Sequence, residues 1–214
     1  MSGSRVLLVV EQLRRSAAGG IGTYVLGLLQ GLDELAAADP DTAPELILTA
    51  SRVRPGQGGD PLAGLGHPLR TSFLPGPLLT RAWDRGLVRA PAGVDVVHAV
   101  SLATLEPGRA PLVVTVHDLL WRRVPDAYPA RGRRWHEAAL ARALERADQF
   151  VVPAEVVAGD LVEAGASRES ITVIPMGSDH LPPPDVPAAE AHLASLGVRA
   201  VSYTHLTLPT IYSV

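Results

Sequence analysis

The chain has no cysteine, and all 19 of its Lys and Arg residues are arginine. Without cysteine there is neither a disulfide nor a thiolate metal site. The same absence suits a reducing compartment. Aromatic residues make up only 4% of the 214 positions. No apolar run approaches the length of a bilayer span. Val6–Val10, after a short polar start, is too brief for the core of a secretory signal. A net charge of -3 provides no field to attract nucleic acid, so no nucleic-acid partner is expected. The expected location is the cytoplasm, with peripheral contact at the inner face of the plasma membrane left open. The Arg-only basic set, in Ala-, Gly- and Pro-rich text, reflects high-GC codon usage and points to a bacterial gene.

What is present describes a globular chain. Hydrophobic residues make up 47% and charged residues 19% of it. Val6–Val10 reads as a strand buried on both faces, as in a parallel sheet. A mostly polar stretch from Glu11 ends in Gly19-Gly20. Ile21, Val25, Leu28, Leu29, Leu32 and Leu35 then recur at helical spacing. Further strands are expected at Leu46–Leu48, Leu69–Leu74, Val94–His98, Leu112–His117, Phe150–Val152 and Ile171–Ile174. Helices are expected at Leu78–Val88, Arg131–Ala147 and Val156–Ala164. The alternation predicts an α/β fold with a doubly wound, Rossmann-like parallel sheet, whose ligands bind at the carboxyl ends of the strands. Leu181–Pro187 reads as a stiff linker, followed by a short helix over Ala188–Leu196. The last fourteen residues, Val201–Val214, contain no Arg, Asp or Glu and break sharply from the text before them. They read as an in-frame translation of a sequencing adapter and are set aside from fold reasoning.

Several residues have chemistry suited to a site. Gly19-Gly20-Ile21-Gly22 stands just before the first helix. Glycines there admit a ligand close to the backbone, and a helix N-terminus favours phosphate. A plain turn into a helix has the same spacing. The dinucleotide fingerprint fits poorly: its frame from Gly20 ends in Val25, and eight residues, Glu11–Ala18, separate strand from glycines. Thr49-Ala50-Ser51-Arg52 carries no acid for a ribose hydroxyl. His117-Asp118 closes a strongly patterned strand. His117 there can bond a sugar hydroxyl or move a proton, or simply bond a neighbouring loop. Asp118 has the alternative of capping the next turn. His98 closes another strand, with Ser101 just beyond, and the same two readings apply. Arg122, Arg123, Arg131, Arg133 and Arg134 flank Tyr128, with Trp135 close by. They read either as a patch for an anionic acceptor or a membrane surface, or as a solvated helix face. No H-E-x-x-H or G-x-S-x-G stands in the chain, so neither a zinc protease site nor a hydrolase elbow is expected.

Four landmarks together resemble glycosyltransferase family 4. They are Gly19-Gly20-Ile21-Gly22-Thr23-Tyr24, Asp95-Val96-Val97-His98, Val114-Thr115-Val116-His117-Asp118-Leu119, and the run from Ala147-Asp148 to Ile174-Pro175-Met176-Gly177-Ser178-Asp179. The resemblance covers nearly all of Met1–Arg199 and implies the N-terminal half of a GT-B fold. Residues 1–179 would form the acceptor-side domain, 180–200 a linker and short helix, and 201–214 the artefact. The donor-binding C-terminal domain would be absent. The resemblance implies transfer of a hexosyl group from a nucleotide sugar, with retention and with no cofactor or required metal. The acceptor would be a glycan, a lipid or a small molecule. His117 would lie against the transferred sugar, and Gly19–Gly22 near the donor phosphates or the acceptor. His98, Ser101, Asp118, Tyr128, Arg131 and Arg134 would lie on the acceptor side. Ala154 stands where the family usually has Ser, Met176 where Asn is common, and Ser178-Asp179 where Val-Asp is common. Lacking the donor domain, the chain is expected to be inactive alone. The competing readings are a Rossmann-type nucleotide-binding domain without transfer activity and a standalone sugar-binding module. The poor fingerprint counts against the first, and the Gly177–Asp185 linker against the second.

Overall fold

The computed structural model describes residues 3–15, 17–53, 59–177 and 185–197. Two compact units are distinguished, Met1–His180 and Leu181–Val214.

The first unit is built on seven strands: β1 (Arg5–Val9), β2 (Glu45–Ala50), β3 (Leu69–Thr71), β4 (Val96–Ala99), β5 (Leu112–Thr115), β6 (Gln149–Val152) and β7 (Ile171–Val173). All are parallel, in the order β3-β2-β1-β4-β5-β6-β7. The order reverses between β1 and β4. Connections on either side of that point run over opposite faces, which opens a crevice at the carboxyl ends of these strands.

Alternation along β1 divides the core in two. Leu7 and Val9 pack on one face with Leu79 and Trp83 of helix α2 (Gly76–Asp84). Leu140 and Ala143 of α4 (Ala130–Arg146) and Val157 and Leu161 of α5 (Glu155–Glu163) complete that face. Leu8 and Val10 pack on the other face against Val25 and Leu29 of α1 (Gly19–Ala38). Successive strand side chains point to opposite sides, so a run apolar at every position is buried twice over. A four-residue helix, α3 (Leu120–Arg123), follows β5.

The expected elements are present, with shifted ends. Helix α1 begins at Gly19, so the glycines form its first turn instead of preceding it. Helix α2 starts two residues earlier than expected, at Gly76 beside Pro75 and Pro77. It stops at Asp84, well short of Val88, because Gly86 takes a left-handed φ of 65°. Strand β3 ends at Thr71, and β5 ends at Thr115 instead of His117. Strand β4 begins at Val96, not Val94: the Asp95 carboxylate accepts the Arg5 amide at 2.8 Å before the ladder starts.

In the second unit the described residues form α6 (Val186–Ser195), two residues longer at its start than expected. Asp185 caps it, accepting the Ala188 amide at 3.0 Å. The tail Val201–Val214 and most of the expected linker lie outside the described residues.

Candidate functional site

The carboxyl ends of β4 and β5 meet the start of α1. Beyond β5 the chain leaves the ladder, which frees the His117 side chain to turn toward β4. Its Nε2 lies 2.9 Å from the Val100 carbonyl oxygen. A carbonyl only accepts, so Nε2 carries the proton and Nδ1 presents a lone pair. Burial lowers the pKa of His117; the bond to Val100 and the nearby Asp118 carboxylate oppose that shift. At neutral pH the ring is therefore an uncharged hydrogen-bond acceptor at Nδ1. Tyr24 of α1 meets this ring edge-on, with centroids 4.9 Å apart and planes at 81°.

His98 lies deeper. Its Nε2 is 2.9 Å from the Thr115 hydroxyl, which in turn is 3.4 Å from the Tyr24 hydroxyl. Thr115 is buried. Desolvation pushes the His98 pKa down to about 4. His98 is thus a neutral, internally bonded residue that ties β4 to β5 and α1.

Gly19 has a left-handed φ of 59°, and among the described residues no side chain caps the α1 N-terminus. The Gly22 amide bonds the Ala18 carbonyl at 3.1 Å, and among the described residues the amides of Gly19, Gly20 and Ile21 have no hydrogen-bond partner, as at a free helix start. Side chains built at Gly19 or Gly20 would meet open space, whereas one at Gly22 would collide with Ala18. Gly20 and Tyr24 are four residues apart and share a helix face. The glycine turn therefore stands one turn from the Tyr24–His117 contact.

The remaining expected residues divide. Ser101 is engaged locally, its hydroxyl accepting the Ala103 amide at 3.3 Å. Asp118 accepts the Leu120 amide at 2.9 Å and starts α3. Tyr128 stands edge-on to His136, 5.9 Å between centroids, and His136 stacks on Trp121. Burial, with Asp118 nearby, raises the Tyr128 pKa. The arginine patch breaks up: Arg122 is held by Glu137 at 2.6 and 2.9 Å, and Arg123 by Asp160. Arg131 and Arg134 remain exposed on α4, and among the described residues neither makes an ion pair.

A cleft of about 1060 Å³ opens at the carboxyl ends of β1 and β2. Its wall joins Glu11, Arg14 and Arg15 with Ser51 and Arg52, Thr80 and Arg81 of α2, and Arg131 and Trp135 of α4. Glu11 is 5% exposed, and its carboxylate accepts the Ser51 amide at 2.6 Å. Gly76 lets α2 pass close: a Cβ there would come within 2.6 Å of the Glu11 carboxylate. Of the residues named from sequence, this cleft gathers Arg131 and Trp135, together with Arg52.

Residues 18–180 match the profile of Glycosyltransferase Family 4. The chain belongs to glycosyltransferase family 4. No curated protein matches the chain significantly. Among solved structures, this family 4 domain is similar to Anabaena Alr3699/HepE in complex with UDP and glucose. The TM-score is 0.51 at 17% identity, covering 91% of this chain and 50% of that one. Alr3699/HepE in complex with UDP gives a TM-score of 0.50 at 18% identity, with the same coverage. The chain thus spans about half the length of the solved structures it matches. The likeness is one of fold, and the doubly wound sheet is that of the N-terminal half of a GT-B glycosyltransferase.

Sequence reasoning missed three features of this family 4 domain. Tyr24 enters the sequence reading only as the last residue of the glycine-rich landmark. Thr115 reads as a strand residue. Glu11 offered a signal, since an acid directly after a five-residue buried strand sits at the carboxyl edge of the sheet. Among the described residues, no group of three or more His, Asp or Glu is placed to hold a metal ion. No helix there is long and apolar enough to cross a membrane.

Proposed function

We propose that this domain forms the acceptor side of an enzyme that moves a hexosyl group from a nucleotide sugar to an acceptor, with retained anomeric configuration and without a metal. The observation that carries the reading is His117. Its Nε2–H is committed to the Val100 carbonyl, its ring is held neutral by burial, and its Nδ1 is left to accept a bond from a sugar hydroxyl. Such a bond strengthens as charge develops in the transferred sugar. The orphan amides of Gly19–Ile21, one turn from Tyr24, suit the donor phosphates. Asp118, Tyr128, Arg131 and Arg134 shape the acceptor side of the crevice, and His98 and Ser101 support it from below. Family membership supports a transferase, and a nucleotide-sugar donor agrees with the UDP bound by Alr3699/HepE.

A domain covering half of such a fold carries one side of the cleft, so this chain alone is proposed to be inactive. The test compares the chain with a longer polypeptide from the same gene that adds a donor-side domain. Both are assayed for hexose transfer from a panel of nucleotide sugars, with chelator present, and product configuration is read by NMR. Transfer by the longer form only, with retention, agrees with the proposal. Inverted product, chelator-sensitive transfer, or transfer by the short chain would each overturn the corresponding part.

A further inference from the structure

The cleft beside β1 and β2 has a charge balance that the net charge of the chain conceals. Five arginines line it, against two carboxylates, Glu11 and Asp84. Both oxygens of Asp84 are occupied: Arg142 bonds one, and the Trp135 indole donates to the other at 3.1 Å. Glu11 is buried, bonded to the Ser51 amide. Arg14 is also buried, with a side chain 5% exposed and paired with Asp60, yet its Nη1 has no hydrogen-bond partner among the described residues. Arg15, Arg52, Arg81 and Arg131 are exposed at the rim, and among the described residues none of them makes an ion pair.

These four exposed cations come from four places: the turn after β1, the loop after β2, α2 and α4. Other exposed arginines, such as Arg134, also make no ion pair among the described residues, but these four line one concavity. Their convergence on one concavity, where Asp84 is paired with Arg142 and Glu11 is the one lining acid without a cationic partner among the described residues, makes it an electropositive pocket of ligand size. A guanidinium presents several donors in a fixed plane and is matched by an oxyanion. A carboxylate offers two oxygens in one plane and satisfies one such fork. A phosphate monoester offers three free oxygens around a tetrahedron and up to two charges, which several arginines approaching from different elements can share.

We propose that this cleft recognises the acceptor through a phosphate monoester, carried by a soluble sugar or by a lipid headgroup. The proposal rests on the transferase reading, since it names the class of acceptor for the same domain. It differs in what it predicts for this chain by itself, because binding needs no donor domain and no turnover.

Binding to the purified 214-residue chain is measured by calorimetry with glucose 6-phosphate, glucose and UDP, and by sedimentation with phosphatidic acid or phosphatidylcholine vesicles. Glucose 6-phosphate or phosphatidic acid, both phosphate monoesters, should bind, glucose and the phosphodiester phosphatidylcholine should not, and binding should weaken as salt rises. Which of the two phosphates binds assigns the soluble or the lipid source. Arg81→Gln and Arg52→Gln, both at the rim and free of core contacts, should each weaken binding about tenfold or more. Their unchanged thermal midpoints would show that the fold is intact. Equal binding of glucose and glucose 6-phosphate, binding of no phosphate, or binding unaffected by both rim variants would overturn the proposal. Tighter binding of UDP than of glucose 6-phosphate would also overturn it, by assigning the arginines to the donor. Each of these failures leaves the transfer assay of the longer polypeptide unaffected.

Discussion

Tyr24 presents its ring edge-on to His117, 4.9 Å between centroids, and so joins the first helix to the end of the fifth strand. The same helix begins with the glycine turn. The two motifs named separately from sequence therefore lie near one another, with Tyr24 as the link.

In a polypeptide that carries both domains, His117→Ala should reduce transfer about ten- to a hundredfold, the usual worth of one hydrogen bond that tightens in the transition state. Thermal stability should change little beyond the lost Val100 bond. Steady-state kinetics checks this, and normal turnover would show that His117 has no role in transfer.

The pH dependence has a definite sign. His117 has a pKa lowered from 6.5, so it is neutral above that value and becomes imidazolium only as pH falls through a lower one. If Nδ1 must accept a hydrogen bond, transfer is flat at neutral pH and falls on an acid limb centred below 6.5. A limb centred at or above 6.5 would contradict the buried, neutral ring.

His98 should control acid stability instead of activity. Its pKa is about 4 folded against 6.5 unfolded, so between these values the unfolded chain binds more protons. Its contribution is present above pH 6.5 and is lost as pH falls toward 4, up to about 3 kcal/mol in all. His98→Gln, which retains a bond to Thr115, should flatten denaturant-derived stability across that window. An unchanged acid slope would place the pH dependence elsewhere.

The glycines of α1 should separate into two roles. Gly22→Ala drives a methyl into Ala18 and should lower stability by about 1–3 kcal/mol. Gly20→Ala meets open space and should leave the thermal midpoint unchanged or raised. If donor phosphates approach the Gly20 backbone, that same variant should raise the donor KM. Unaffected kinetics would reduce the glycine turn to a helix start.

Asp60→Asn tests the ion pair behind the cleft. It leaves the buried Arg14 guanidinium without a counter-charge, which should cost about 3 kcal/mol. Urea denaturation reads the loss. A cost within about 0.5 kcal/mol, as for an exposed pair, would mean that water reaches Arg14.

Much of the sheet was legible because buried parallel strands read as short apolar runs between glycine- and proline-rich turns. Val6–Val10 and Leu112–Val116 are such runs. Their ends were less legible. The pattern of Leu112–His117 continues past Thr115, but pairing ends there apart from one bond from the Val116 amide to the Val151 carbonyl, and His117 bonds Val100 instead. Nor does the text around Leu78–Val88 reveal that Gly86 turns left-handed and ends α2 early. The arginines near Tyr128 read in sequence either as one patch or as a solvated helix face. Their acids, Glu137 and Asp160, are 15 and 37 residues away, so only folding could show that Arg122 and Arg123 are neutralised.

By itself the sequence determined the α/β alternation, the parallel sheet and the family, because each depends on local pattern: burial on both faces, helical spacing, and motifs in a set order. Tertiary structure alone decided which polar groups share a site. It placed Tyr24 against His117, bonded Thr115 to His98, buried Glu11 beside Gly76, and collected arginines from four separate elements around one cleft. These contacts depend on strand order and on where each chain segment leaves the sheet, and residues far apart in sequence carry no local trace of either.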